Sequence, residues 1–212
     1  MPVGEYDRRV EILTADLGKI SAFARGARKP GSNLVSATRV FALGKFHLFQ
    51  GKNSYSIKSA QISNYFEQLS ADIELAYYGF YFLEVSQYFG RENVEAHDML
   101  KLLYFSLRAL SVDSLSPKLV KSIFELKMLE LNGLCPDSDR LFSGQGVYTF
   151  ADRSSPGARK AFCFVMDSPV EKLYTFVLSE SVLNEFVMLS DRLMENSVDR
   201  KFNSLALISG IL

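Results

Sequence analysis

The chain has 212 residues with 24 Lys and Arg against 24 Asp and Glu, so its formal net charge is zero. The basic whole-chain balance that marks many nucleic-acid binders is absent. With 48% apolar residues and only six prolines, the chain reads as a folded globular protein that buries roughly 70% of its unfolded surface without needing a metal or a disulfide. Two cysteines, Cys135 and Cys163, and two histidines, His47 and His97, argue against a disulfide framework and against a Cys/His-built zinc or haem site.

The first residues are broken by Glu5, Asp7, Arg8, Arg9, Glu11 and Asp16, which is not the pattern of a signal peptide, and a cytoplasmic location is the expectation. Up to residue 64 the apolar runs are short and punctuated by glycine: "RRVEILTA", "GKISAFARGA", "ATRVFALGKFHLFQG" and "NSYSIKSAQI". Their local alternation predicts half-exposed antiparallel strands joined by Gly-containing turns. In so small a module such strands are expected to roll into a barrel, because closure covers their edges.

After residue 64 the periodicity turns helical. "NYFEQLSADIELAYYGFYFLEVSQYF" reads as a helix, followed by a turn at "GREN" and a second helix over "AHDMLKLLYFSLRALS". Ser116 and Pro117 have the form of an N-cap with proline in the first turn, and open a helix that Gly133 closes. Residues 135–165 are irregular, and the apolar content of "VYTF" and "AFCFV" predicts a small hairpin-like excursion. Ser168 and Glu171 have capping-box spacing for another helix, and "SESVLNEFVMLSDRLMENS" gives a last long one before the terminal "RKFNSLALISGIL". The apolar run "IELAYYGFYFLEV" is too short to span a membrane and reads as a buried helix. The resulting expectation is an α+β protein: a module over 1–64 and a helical domain over 65–212 with an irregular insertion at about 135–165.

Dividing the charge along the same boundary changes what a total of zero means. Residues 1–64 hold ten basic and four acidic groups, a net of plus six; residues 65–150 hold seven and twelve; residues 151–212 hold seven and eight. The positive field is concentrated on the strand-rich segment. Its sharpest feature is "FARGARKPGS", in which Arg25, Arg28 and Lys29 sit among Gly26, Pro30 and Gly31. Glycines let backbone amides approach an anion, and long cationic side chains neutralise phosphates without reading bases. Arg39, Lys45 and Lys52 extend the track. Exposed aromatics such as Phe23, Phe46 or Tyr55 would stack on unpaired bases, although Phe23, Phe41 and Phe46 taken singly also read as core.

No other chemistry is spelled out. The glycine tract lacks G-x-x-x-x-G-K-[ST], G-x-S-x-G is absent, and neither H-x-E nor H-E-x-x-H occurs, so no enzyme activity and no cofactor are expected. Cys135 and Cys163 read as small buried hydrophobes. Projected as a helix, residues 117–134 have a polar side with Lys118, Lys121, Glu125 and Asn132 opposite a broad apolar side with Val120, Ile123, Phe124, Met128 and Leu131. Lys127 falls near the middle of the apolar side. Two readings follow: a snorkelling lysine paired with Glu130 or Asp113, or an apolar groove edged by Arg108, Lys121 and Lys127, with Phe124 and Met128 in its wall, that takes an acidic peptide.

Four segments in order, "YDRRVEILTADLGKISAFARGARKPGS", "ATRVFALGKFHLFQGKNSYSIKSAQISNYF", "LSPKLVKSIFELKMLELNGLCP" and "DRKFNSLALISGIL", resemble the bacterial recombination mediator and DNA repair family RecO. The resemblance implies an OB-fold-like antiparallel barrel ahead of a helical domain. It implies single-stranded DNA binding, strand annealing and recombinase loading without catalysis, duplex DNA as a further ligand, and a location at the nucleoid during repair. The partners implied are a RecR-like repair protein and the acidic C-terminal tail of the single-strand-binding protein. On this resemblance "ARGARKP" belongs to the DNA surface and the helix at 117–134 lies near the tail-binding region. Two departures stand out. Many relatives carry paired C-x-x-C zinc ligands after the stretch matching "ELNG", whereas this chain has Cys135 and Cys163 without either pair. Relatives also usually have an apolar strand before the stretch matching "YDRR", where this chain has "MPVGE", which leaves three readings open: a barrel short of its first strand, a late start, or an edge covered in another way. The alternative is a structural or regulatory interaction module with weak or no DNA binding.

Overall fold

The computed structural model describes residues 1–52 and 54–209. They divide into two compact units, one within Met1–Ser70 and Gly90–His97 and the other within Ala71–Phe89 and the chain from Asp98 onward.

The first unit contains β1 (Pro2–Val3), β2 (Asp7–Thr14), β3 (Gly18–Ala24), α1 (Leu34–Ala37), β4 (Leu43–Gln50), β5 (Tyr55–Asn64) and most of α2 (Glu67–Ala71). The strands form one five-stranded sheet in the order β1-β2-β3-β5-β4. Neighbours are antiparallel except β3 and β5, which run parallel through Ala22↔Tyr55 and Phe23↔Ser56. The expected barrel is therefore corrected to an open sheet: β1 and β4 are its two edges, and among the described residues no strand pairing joins them. The length of β1 supplies the physical reason. Its two residues pair with Arg8 and Asp7 of β2, which leaves little backbone to reach across to a second partner. Of the readings left open for the N-terminal edge, one with no strand ahead of β2 is corrected, since the two-residue β1 stands there.

Alternation along the strands sorts the side chains. On β3, Ile20, Ala22 and Ala24 are buried while Lys19, Ser21 and Phe23 are half-buried. Together with Ala27, Tyr55 and Ile57 they make the core of this unit, on which Val10, Ile12, Leu34, Phe46 and Leu48 pack. The β2–β3 turn is held by a returning segment, through Lys19 N–H to Arg91 O (3.1 Å), Asn93 N–H to Leu17 O (2.9 Å) and Ala96 N–H to Ala15 O (2.7 Å). Gly18 makes that approach possible: its φ is +64°, and a Cβ there would lie 2.0 Å from Arg91 O.

The second unit is helical, with α3 (Ile73–Phe89), α4 (His97–Ala109), α5 (Pro117–Leu131), α6 (Ser138–Phe142), α7 (Pro156–Asp167), α8 (Glu180–Ser197) and α9 (Asn203–Ser209). The first expected helix is split into α2 and α3, and Asp72 at the break accepts a hydrogen bond from Leu75 N–H at 3.1 Å. The expected hairpin-like excursion at 135–165 is corrected to α6, a 3-10 turn at Gly146–Tyr148, and α7. Capping residues explain the change. Asp137 accepts from Arg140 N–H and Ser155 from Ala158 N–H, with Pro156 at the first position of α7, so the apparent turn residues are helix starts. The helix expected from Ser168 is only a 3-10 turn, Val170–Lys172.

Helix α5 is central: every residue from Leu119 to Leu129 is buried. Phe124 stacks on Phe82 of α3 at 4.3 Å between centroids, and α7 and α8 pack on other sides of α5.

Candidate nucleic-acid interface

The loop after β3 is built around its cations. Ala27 is fully buried in the sheet core, while Arg25, Arg28 and Lys29 on either side are exposed. Asp7 accepts a hydrogen bond from Gly26 N–H at 2.8 Å, and Gly26 has a φ of +68° that turns the chain back. Arg28 N–H donates to Tyr6 O at 2.9 Å and its guanidinium reaches Gly4 O at 3.3 Å. The Lys29 ammonium lies 5.2 Å from the Tyr6 ring centroid. A cleft of about 590 Å³ opens here, lined in part by Glu5, Tyr6, Arg25, Gly26, Lys29 and Ser32. Its two carboxylates are engaged: Asp7 holds Gly26, and Glu5 bonds the Tyr6 hydroxyl, an interaction that raises the phenol above its ordinary range.

The remaining three expected residues of the basic track lie elsewhere on the unit. Arg39 follows α1, exposed, with its guanidinium 5.3 Å from the Tyr65 ring. Lys45 is exposed on β4 opposite Gln61 of β5, and Lys52 is exposed in the turn after β4. Arg25 and Lys29 thus share one cleft, while Arg28, Arg39, Lys45 and Lys52 do not line it. Sequence reasoning passed over Arg9, Phe49 and Lys58. Lys58 lies 5.1 Å over the ring of Phe49 on the β4–β5 hairpin, and Arg9 lies 6.0 Å over Phe23. The signal was the alternation in "KFHLFQ", which exposes Lys45, His47 and Phe49 and turns Phe46 and Leu48 toward the core.

Apart from Glu5 and Asp7 in that cleft, the stretch from β3 to β5 is electrostatically one-sided. Residues 17–66 contain no Asp or Glu at all. Arg25, Arg28, Lys29, Arg39, Lys45, Lys52 and Lys58 are all exposed, and none has a carboxylate ion-pair partner among the described residues. Cations so placed are available to a polyanion.

The expected protein-partner groove on α5 is corrected. Phe124 and Met128 have 0% exposure, and Lys121 and Lys127 have 6%. The Lys121 ammonium contacts Glu125 at 2.8 Å and Asp191 at 2.6 Å. Burial alone would lower its pKa, but these two carboxylates raise it above the ordinary lysine value. Glu125 also accepts from the Tyr81 and Ser190 hydroxyls. Lys127 bonds the last-turn carbonyls of α7, Val165 O at 3.4 Å and Met166 O at 3.1 Å, and pairs with Glu130 at 3.2 Å. The lysine that interrupts an apolar face thus caps a neighbouring helix. Arg108 alone of the five is exposed, with its guanidinium 5.6 Å from the Tyr104 ring.

Cys135 and Cys163 are free thiols, and burial pushes the Cys135 thiol up to about 12. Among the described residues no three His, Cys, Asp or Glu side chains gather as a metal site would require, and no helix is long and apolar enough to cross a membrane.

Comparison with known proteins accounts for both units. A family model described as "Recombination protein O N terminal" matches residues 1–66, and one described as "Recombination protein O C terminal" matches residues 70–144. The "DNA repair protein RecO" of Acetivibrio thermocellus is 30% identical over 227 residues, covering 97% of this chain and 90% of the relative. That of Clostridium perfringens (strain 13 / Type A) is 26% identical over 98% of this chain and 92% of its own, and that of Listeria welshimeri 29% identical over 89% and 74%. With similarity of this extent running through nearly the whole chain, the protein belongs to the RecO family of DNA repair proteins.

Proposed function

We propose that this chain binds single-stranded DNA through its sheet unit, promotes annealing of complementary strands, and helps to load the recombinase during recombinational repair. In this reading the chain catalyses no reaction, and the work is done by binding. The observation that carries the reading is the acid-free stretch 17–66, whose exposed cations have no carboxylate ion-pair partner among the described residues. Annealing is opposed by phosphate repulsion between strands. A surface that neutralises several phosphates and holds two strands together lowers that repulsion and raises local strand concentration, while base pairing supplies the driving force.

A RecR-like protein and the acidic tail of the single-strand-binding protein are the partners in this reading, with the cytoplasm and the nucleoid as the place of action. The burial of Phe124 and Met128 removes α5 as a ready-made groove for that tail; Arg108 remains available at the surface.

The test is binding and annealing of complementary oligonucleotides across a salt series, comparing the native chain with an Arg25→Ala/Arg28→Ala/Lys29→Ala variant. Each lost phosphate contact should flatten the log–log salt dependence by about 0.7 on single strands, so the variant should lose about two units of slope together with annealing rate. Equal rates and equal slopes would reject this surface.

A further inference from the structure

We infer that Phe23 and Phe49 form a two-ring base-stacking row across the outer face of the sheet, which makes the unit prefer unpaired nucleobases to duplex. The inference rests on the DNA-binding reading above and adds to it the residues that select the strand state.

The strand register places the row. Arg9 of β2 is opposite Phe23 of β3, Phe23 is in register with Ser56 of β5, and Ser56 is opposite Phe49 of β4. Residues directly opposite across a sheet point to the same side. The next row inward holds Ala22 and Tyr55, both buried in the core, so the Arg9–Phe23–Ser56–Phe49 row faces away from the core. Phe49 is 56% exposed and Phe23 half-exposed. With strands about 4.8 Å apart, rings two strands apart stand on the order of 10 Å from each other, with only a serine between them.

Each ring has a cation over it. Arg9 is held by its Nε bond to Ser21 Oγ at 2.7 Å and lies 6.0 Å from the Phe23 centroid; Lys58 lies 5.1 Å from that of Phe49. The rest of this face on β4 and β5 is polar or cationic, with Lys45, His47, Ser59 and Gln61 exposed. Glu11 is the nearby carboxylate, two residues along β2 from Arg9 and opposite Ser21, outside the row. An apolar protein partner would call for a contiguous apolar patch. Isolated rings spaced by a serine and bordered by cations instead match planar bases on a phosphate backbone, because stacking is indifferent to base identity while the cations follow the chain. In a duplex the base faces are already stacked on one another and offer these rings nothing.

The chain contains no tryptophan, so a Phe49→Trp variant carries a single indole at the site. Its emission should be quenched on adding a single-stranded oligothymidylate and not on adding a duplex of equal length. Phe49→Ala should weaken single-strand binding by about 5- to 150-fold, the range for losing one stacked base, leave duplex binding unchanged, and leave the salt slope unchanged because no charge is removed. The exposed ring should be dispensable for folding, which circular dichroism checks. Binding by the Phe49→Trp variant without quenching, or equal losses for single strand and duplex in Phe49→Ala, would overturn the stacking row while leaving the cationic surface standing. Failure of the native chain to bind single strands in a salt-sensitive way would overturn both.

Discussion

The ion-paired cations of the helical unit and the exposed cations of the sheet unit are used in opposite ways. In the helical unit, Lys121, Lys127 and Arg200 are consumed internally: Lys121 neutralises Glu125 and Asp191, Lys127 ends α7 and pairs with Glu130, and Arg200 meets Glu84 at 3.4 Å. In the sheet unit, Arg25, Lys29, Lys45 and Lys52 project into solvent with no carboxylate ion-pair partner among the described residues. A charge with its partner inside the fold contributes to holding the fold, whereas a charge without one is available for binding. Removing a charge of the first kind should therefore cost stability, and removing one of the second kind should cost affinity.

The sharpest test of that division is Glu125. Its carboxylate accepts from the Tyr81 and Ser190 hydroxyls and balances Lys121, all in a site where Glu125 is 1% exposed. Glu125→Leu should destabilise the chain by about 3–5 kcal/mol, because it strands a buried ammonium short of a partner. Urea denaturation measures this, and a Lys121→Met/Glu125→Leu double variant should recover most of the loss. A single variant within about 0.5 kcal/mol of the native chain, the range of an ordinary surface substitution, would erase the contrast between the units.

This network also shows what the sequence could and could not reveal. The cationic bias of the first 64 residues was legible because charge is a count, independent of how the strands pair. The role of α5 was not. Lys121 and Glu125 have the spacing of an exposed helical ion pair, and they read as a polar side facing water. Their burial follows from partners far away in sequence, Tyr81 on α3 with Ser190 and Asp191 on α8, which periodicity along one helix does not encode. Phe49 was missed for a related reason. Its exposure is written in the alternation of β4, but its alignment with Phe23 exists only through Ser56 on a third strand. The open sheet was illegible too, since closure depends on the extent of β1 and not on any motif.

The sheet unit should be sensitive to backbone geometry rather than to charge. Gly18→Ala places a side chain at a φ of +64° and drives its Cβ onto the Arg91 and Val94 carbonyls. The strain alone is about 1–3 kcal/mol, and the returning segment at 90–97 must shift. Thermal melting should show the loss, and amide exchange at Asn93 and Ala96, whose N–H groups bond Leu17 and Ala15, should accelerate. Unchanged protection at those two amides would mean that this segment is anchored by other contacts.

The smallest effect concerns pH and separates the units once more. Glu84 on α3 accepts from Asn203 N–H at 3.0 Å and from Ser204 N–H and Oγ at 2.9 and 2.6 Å, fastening the start of α9. Partial burial pushes its carboxyl upward, but the bonds from Ser204 and Asn203 and the charge of Arg200 outweigh this and hold it below the ordinary 4.5. A carboxylate depressed in the folded state contributes stability that is complete above its unfolded pKa and disappears as pH falls through the folded one. Stability from this clamp should thus be constant at neutral pH and decline only below about pH 4.5, by about 0.5–2 kcal/mol, the range for losing a helix cap. Glu84→Gln should remove most of that decline, seen as a shallower drop in urea midpoint between pH 5 and pH 3 relative to the native chain. A parallel drop in both proteins would assign the acid sensitivity to other carboxylates. The clamp lies wholly within the helical unit, so its loss should leave the salt-dependent binding of the sheet unit in place as long as that unit remains folded.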